Sequence, residues 1–281
     1  MLSEFQKTLG IEVKETTHES ATLILPIRDA LLNTFDIAHG GNHIALGNAA
    51  MRTLVGQDAT QVCCAVEYLN KVSAKGQLKA EAHLLRDGRS LVFAEAFLYE
   101  EDNMVARVSA QYSRFYRADQ ITCQNKPDMR TVASSIELSR IYKADMSEKE
   151  RITRNLFNQR DILSALTESN DSLCLSLKTT DLHAGIDGYI DRAVYGILAD
   201  NALGFSCFAQ GHVVVTVRLA VNLIEPVKVG VTLFCNAHVD GCSGGIYFSS
   251  GGIWADGKVV GTCEAVFSTV MTLSEFKKSL S

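Results

Sequence analysis

The chain has 281 residues, 47% of them hydrophobic and 21% charged, which suits a globular protein with a sizeable core in one large domain or two ordinary ones. A net charge of −5 leaves no basic footprint for nucleic acid or an anionic membrane. No apolar run reaches the length of a bilayer span.

The first residues, MLSEFQKTLG, hold no basic region followed by an apolar run, so no signal peptide is predicted and the chain is expected in the cytoplasm. Leu2–Leu9 predicts a short amphipathic helix with Ser3 as its cap. Ile11–Ile27 contains strand material centred on Ala21–Pro26. Asn33–Val55 reads as a loop running into a helix, with His39-Gly40-Gly41 at the junction. A helix start leaves backbone N–H groups unpaired at the positive end of the dipole. Glycine there lets a ligand approach, so the junction suits an oxyanion or a polarised carbonyl; glycines that merely ease chain packing give the same tripeptide.

A meander follows. Val62–Leu69, Gln77–Leu85, Leu91–Tyr99 and Met104–Phe115 are predicted strands, with turns at Asp87-Gly88-Arg89 and Glu101–Asn103. From Arg117 to about Met146 polar residues dominate, as in a surface linker. Ser147–Leu166 predicts a helix and Ser172–Leu177 a strand. The second half then repeats the first: a long helical stretch from Gly188 to Phe208, then strands over Val213–Ile224, Leu233–Val239, Ile246–Trp254 and Val259–Thr269. MVARVSAQYS from Met104 is echoed by VVGTCEAVFS from Val259, an offset of 155 (259 less 104). Such a period means two whole copies of one fold. Ala193–Phe208 is apolar on most sides and must be buried on most sides, so each half is expected to be an antiparallel sheet curled about a long helix. The predicted boundaries are 1–117, a linker with a helix over 118–164, and 165–281.

Eight cysteines form no C-x-x-C pair and lie mostly in apolar runs, as buried thiols in a reducing compartment do. Seven histidines show no metal-ligand spacing. Neither a metal nor a cofactor is expected.

These residues resemble the PaaI-type hotdog-fold acyl-CoA thioesterases. That family carries an Asn six residues before the His of HGG and an acid nine residues after it. Here Asn33 precedes His39 by six, but the acid position holds Asn48. In the second half Asp191-Arg192-Ala193 replaces HGG and Gly185 replaces the Asn, yet Asp200 keeps the acid within Leu198-Ala199-Asp200. The family's Ser or Thr on the next strand corresponds to Thr216, with Gln61 at that place in the first half. The resemblance implies an α+β double hotdog whose two units share one continuous sheet. It also implies sites built from the loop of one unit and the acid of the other. One site would then combine Asn33, His39, Gly40 and Gly41 with Asp200 and Thr216. The other, with Gly185, Asp191, Arg192 and Ala193 facing Asn48 and Gln61, lacks its Asn, glycines and acid.

The resemblance implies hydrolysis of acyl-CoA at the first site, with the Gly40 and Gly41 amides polarising the carbonyl. Asp200 would be general base or nucleophile, Asn33 and Thr216 would place water or carbonyl, and His39 would hold the loop. His43, one turn on, reads as packing. Arg89, Lys71 and Lys75 are candidates for coenzyme A phosphates, though each is also an ordinary surface charge. A non-catalytic acyl-CoA or ligand-binding protein is the alternative; a hydratase needs an Asp/His pair near the helix start that the sequence does not show. A homodimer of double hotdog chains is expected, with no nucleic-acid or membrane partner.

Overall fold

The computed structural model describes residues 1–114, 134–137, 147, 149, 153, 156, 157, 172–186 and 188–279. Its first half runs α1 (Glu4–Leu9), β1 (Glu12–Thr16), β2 (Ser20–Pro26), α2 (Gly40–Val55), β3 (Thr60–Tyr68), β4 (Gln77–Asp87), β5 (Leu91–Glu100) and β6 (Asn103–Ser113). After β7 (Ser134–Glu137) the second half runs β8 (Leu173–Lys178), α3 (Arg192–Ala209), β9 (His212–Leu223), β10 (Thr232–Ser243), β11 (Ile246–Ala255), β12 (Lys258–Thr272) and α4 (Leu273–Ser279).

The strands form one sheet of twelve in the order β1-β2-β4-β5-β6-β3-β9-β12-β11-β10-β8-β7. Every pairing is antiparallel except β7 against β8. The halves meet at the centre, where Cys63–Glu67 of β3 pairs with Arg218–Asn222 of β9. Sharing these edges gives both strands hydrogen-bond partners they would otherwise lack.

Two central helices lie against the sheet and against each other. All of α3 from Ala193 to Ala209 is buried, with the sheet and α2 packed against its largely apolar surface. Glycines set the closeness of the two helices. A Cβ on Gly41 would sit 2.7 Å from Ile197 Cγ1, and one on Gly196 would sit 3.0 Å from Ile44 Cγ2. The strands alternate as half-buried strands must: in β10, Leu233, Cys235 and Ala237 face the helices while Phe234 faces away, 40% exposed.

The start of α3 differs from expectation. The stretch predicted helical from Gly188 begins only at Arg192, because Gly188 takes φ +79° and the chain before the helix repeats the loop before α2. In that loop the His39 amide donates to Leu31 O at 3.0 Å; in its copy the Asp191 amide donates to His183 O at 2.9 Å. β7 and α4 were not predicted; α4 is a single short run, LSEFKKS, whose Leu273 and Phe276 are buried. Most of the linker expected over 118–164 and of the helix expected over Ser147–Leu166 lies outside the described residues, though Lys149, Thr153, Leu156 and Phe157 are helical.

Candidate active site

A cavity of about 500 Å³ lies between the halves. One wall comes from the loop and first turn of α2, with Asn33, Phe35, His39, Gly40 and His43; another from α3, with Asp200, Asn201, Gly204, Phe205 and Phe208. Thr216 enters from β9, and Tyr68 and Lys71 from the end of β3 and the loop after it. The sheet seam brings these together, since β3 and β9 each follow one of the central helices and pair with each other.

The loop is folded by its own polar groups. Asn33 Oδ1 accepts from the Phe35 amide at 2.8 Å and the Ile37 amide at 3.4 Å, which is an Asx turn. Its carbonyl is thereby spent on the loop, and the Nδ2 amino group is the end left to donate into the cavity. His39 caps α2: Nδ1 accepts from the Gly41 amide at 2.8 Å. A ring nitrogen that accepts from an amide carries no proton, so Nε2 bears the hydrogen and donates to Asn201 Oδ1 at 3.1 Å. Asn201 is oriented in turn by donating Nδ2 to Leu156 O at 3.0 Å. His39 is thus held neutral and fixed, and burial lowers its pKa, with nearby Asp200 opposing. Its Nδ1 lies 3.9 Å from Asp200 Oδ2, too far for a hydrogen bond.

Asp200 is buried, and Thr216 Oγ1 donates to its Oδ1 at 2.8 Å. Burial pushes its carboxyl above the ordinary range, with His39 and the Thr216 hydroxyl pulling the other way. Because Gly41 donates to His39, the Gly40 amide, with no intrahelical acceptor of its own, is the one left at the cavity wall. The side chains fix Gly40 as glycine, since a Cβ would sit 3.1 Å from the Tyr68 ring, whose hydroxyl donates to Gly40 O at 3.2 Å. Burial, and after it Asp200, raises the Tyr68 hydroxyl well above its usual pKa. His43 also lines the cavity, with Nδ1 donating to Gly40 O at 3.2 Å and burial bringing its pKa down to about 4.

Two expected placements are corrected. Gly41 does not line the cavity; its amide is bound to His39 and its missing Cβ serves helix packing. Arg89 lies at the other end of the sheet. It sits in the loop between β4 and β5, next to Leu91, which pairs with Ser113, which pairs with Thr60 at the start of β3. That is the opposite end of β3 from Tyr68. Of the three cations considered, Lys71 alone lines the cavity.

The second set of residues also converges, around a cavity of only about 40 Å³ lined by Gly185, Asp191, Arg192, Asn48 and Gln61. Asp191 caps α3 as His39 caps α2, accepting from the Ala193 amide at 3.0 Å. Asn48 accepts from Gln61 Nε2 at 3.0 Å, where Asp200 accepts from Thr216. α1 closes this side: Ser3 Oγ donates to Asp191 Oδ2 at 2.6 Å and Gln6 lines the cavity.

Solved structures match nearly the whole chain: the tesB protein of Mycobacterium avium subs paratuberculosis (TM-score 0.69, 12% identity, 96% of this chain and 100% of that one) and a protein of unknown function with a hotdog fold from Alicyclobacillus acidocaldarius (TM-score 0.64, 12% identity, 96% and 99%). The fold is a double hotdog. Residues 30–114 of the chain match the family model described as the acyl-CoA thioesterase N-terminal domain. ComA2 of Bacillus subtilis, whose name assigns it provisionally to the esterases, is 28% identical over 111 residues, 37% of this chain and 86% of that protein. The family model covers the half that carries the HGG loop, and Asp200 lies in the other half of the double hotdog.

The sequence reading missed Tyr68, Asn201, Phe157 and Leu156. Asn201 could have been found, as a polar residue beside Asp200 in an otherwise apolar helix. Tyr68 at a strand end and Phe157 in an apparent linker gave no signal.

Proposed function

We propose that the protein hydrolyses acyl-CoA thioesters at the large cavity between the halves, in the manner of the PaaI-type enzymes, with Asp200, Asn33, Gly40 and Thr216 as the reacting set. The observation that carries this is the pairing of a buried carboxylate from one half with an uncapped helix-start amide from the other, across one cavity. The Gly40 amide and the Asn33 amino group polarise the thioester carbonyl as negative charge builds on its oxygen. Asp200, held by Thr216, takes a proton from attacking water, or adds to the carbonyl itself and is released by water. Both routes give free acid and coenzyme A, with the proton reaching the departing thiolate. Burial raises the pKa of Asp200, which makes its carboxylate a stronger base than that of an exposed aspartate. His39 and Asn201 hold the loop and take no proton. The apolar arm of the cavity, past Gly204 to Phe205, Phe208 and Phe267, receives the acyl group, and Lys71 faces coenzyme A phosphates at the mouth.

All seven described cysteines are free thiols, which suits the cytoplasm we assign to it, and no helix among the described residues is long and apolar enough to cross a membrane. Thiol release from a panel of acyl-CoAs tests the reading, with Asp200→Asn as control. Hydrolysis of some member, lost in the variant, is expected. Acyl-CoA binding without turnover in the wild type replaces the enzyme reading with a ligand-binding one.

A further inference from the structure

We propose that the small cavity at the start of α3 binds a small anion, of halide or single-carboxylate size. As a copy of the large cavity it has lost its acid, its glycines and most of its volume. What remains is rich in donors. Asn48 is 4% exposed; its Oδ1 accepts from Gln61 Nε2 at 3.0 Å and from the Cys64 thiol at 3.4 Å, which fixes the carboxamide. Its Nδ2 is then buried without a partner, and so is Nη1 of Arg192. Both residues line the cavity, as does Arg52, one of whose guanidinium nitrogens is bound to Ala59 O. The carboxylate there, Asp191, is already engaged by the Ser3 hydroxyl and the Ala193 amide.

Two arginines and an orphaned amide thus line a cavity that holds one carboxylate, at the positive end of an eighteen-residue helix. Buried donors of this kind are ordinarily satisfied by something. A volume of about 40 Å³ admits a water, which needs ~10–15 Å³, but a water brings no negative charge to a cavity lined by two arginines and one carboxylate. An anion supplies both the acceptors and the charge. The same volume excludes an acyl chain or a nucleotide, so this site is separate from the thioester cavity and does not depend on the activity proposed there.

Bromide is the probe. Crystals grown in sodium bromide are expected to show an anomalous peak within hydrogen-bond reach of Asn48 Nδ2 and Arg192. Thermal unfolding is expected to show a saturable rise in Tm with bromide, absent with gluconate at equal ionic strength because gluconate is too large to enter. Asn48→Asp keeps the acceptor for Gln61 but aims a carboxylate at the site, and should abolish the bromide-specific rise; Arg192→Gln should weaken it if Asn48→Asp does not fold. A water without anomalous signal at the site, an equal response to bromide and gluconate, or an undiminished response in the folded variants overturns the proposal.

Discussion

Gly41→Ala separates packing from chemistry in the HGG motif. The added methyl would stand 2.7 Å from Ile197 Cγ1, 2.9 Å from Phe157 Cε1 and 3.1 Å from His39 Nδ1, where carbon atoms ordinarily rest ~3.5–4.0 Å apart. The overlap is about an ångström on two sides, and Ile197, Phe157 and His39 are all buried. Either α2 retreats from α3 or Ile197 leaves its rotamer, and overpacking of this size costs ~1–3 kcal/mol. At ~2–4 °C per kcal/mol for chains of this size, Tm should fall by ~2–12 °C. The retreat also moves the Gly40 amide away from Asp200, one helical turn beyond Ile197, and misplacement of about an ångström costs ~10²-fold in rate. Gly204→Ala is the control for stability alone: its methyl meets the Phe267 ring at 3.7 Å, an ordinary contact. Differential scanning calorimetry and thiol release read the two effects. If Gly41→Ala matches Gly204→Ala in Tm and the wild type in turnover, the close approach of the helices does not set the site geometry and the reasoning is wrong.

Asp200→Asn should cost ~10²–10⁴ in kcat, and adding Asn48→Asp should not restore it, since the second cavity offers no open helix start; recovered turnover in the double variant would show that the dead site was assigned wrongly. The acid limb of kcat/KM should lie above the ordinary aspartate range because burial raises Asp200, and Thr216→Val, which removes a hydrogen bond to the ionised form, should move that limb higher still. The folded state resists ionising Asp200, so Asp200→Asn should be more stable than wild type at neutral pH, and the gain should vanish below the unfolded carboxylate pKa of about 4; a constant difference across a pH series of unfolding curves would contradict this. Gly204→Leu should fill the apolar arm and shift preference towards shorter acyl groups in a chain-length series. Two chains are expected to associate through the outer sheet face, where Phe234 and Phe248 are exposed by 40% and 47%; light scattering at micromolar concentration that finds only a 30.7 kDa species would count against it.

The elements most legible in the sequence were those with strong periodicity. The strands from Thr60 to Ser113 and the buried α3 announce themselves because alternation and unbroken apolar character have few other meanings. The internal repeat aligned the two helices and set Asp200 at the place of Asn48; joining Asp200 with Asn33 in one site rested on the resemblance to the PaaI-type enzymes. What stayed hidden depends on contacts distant in sequence. Nothing in RDGRS says that residue 89 lies at the wrong end of a strand; that follows from the register of β5 on β6 and β6 on β3. Gly40 and Gly41 look alike as letters, yet one meets Tyr68 and the other Ile197. α4 is too short to show a pattern, and it holds because Phe276 finds the ring of Phe35 at a centroid distance of 5.6 Å.

The central seam also bears on how the chain is made. During synthesis β3 emerges long before its partner: Cys63–Glu67 must wait for Arg218–Asn222, some 150 residues later. Until then the β3 edge of the first half lacks the partner it has in the finished sheet, and an unpaired edge is the kind that captures strands from other chains. A ribosome stalled within the intervening segment, or a message truncated there, would release a product whose β3 edge lacks its β9 partner. Nascent first halves on neighbouring ribosomes carry identical β3 edges, so their commonest error should be pairing with each other.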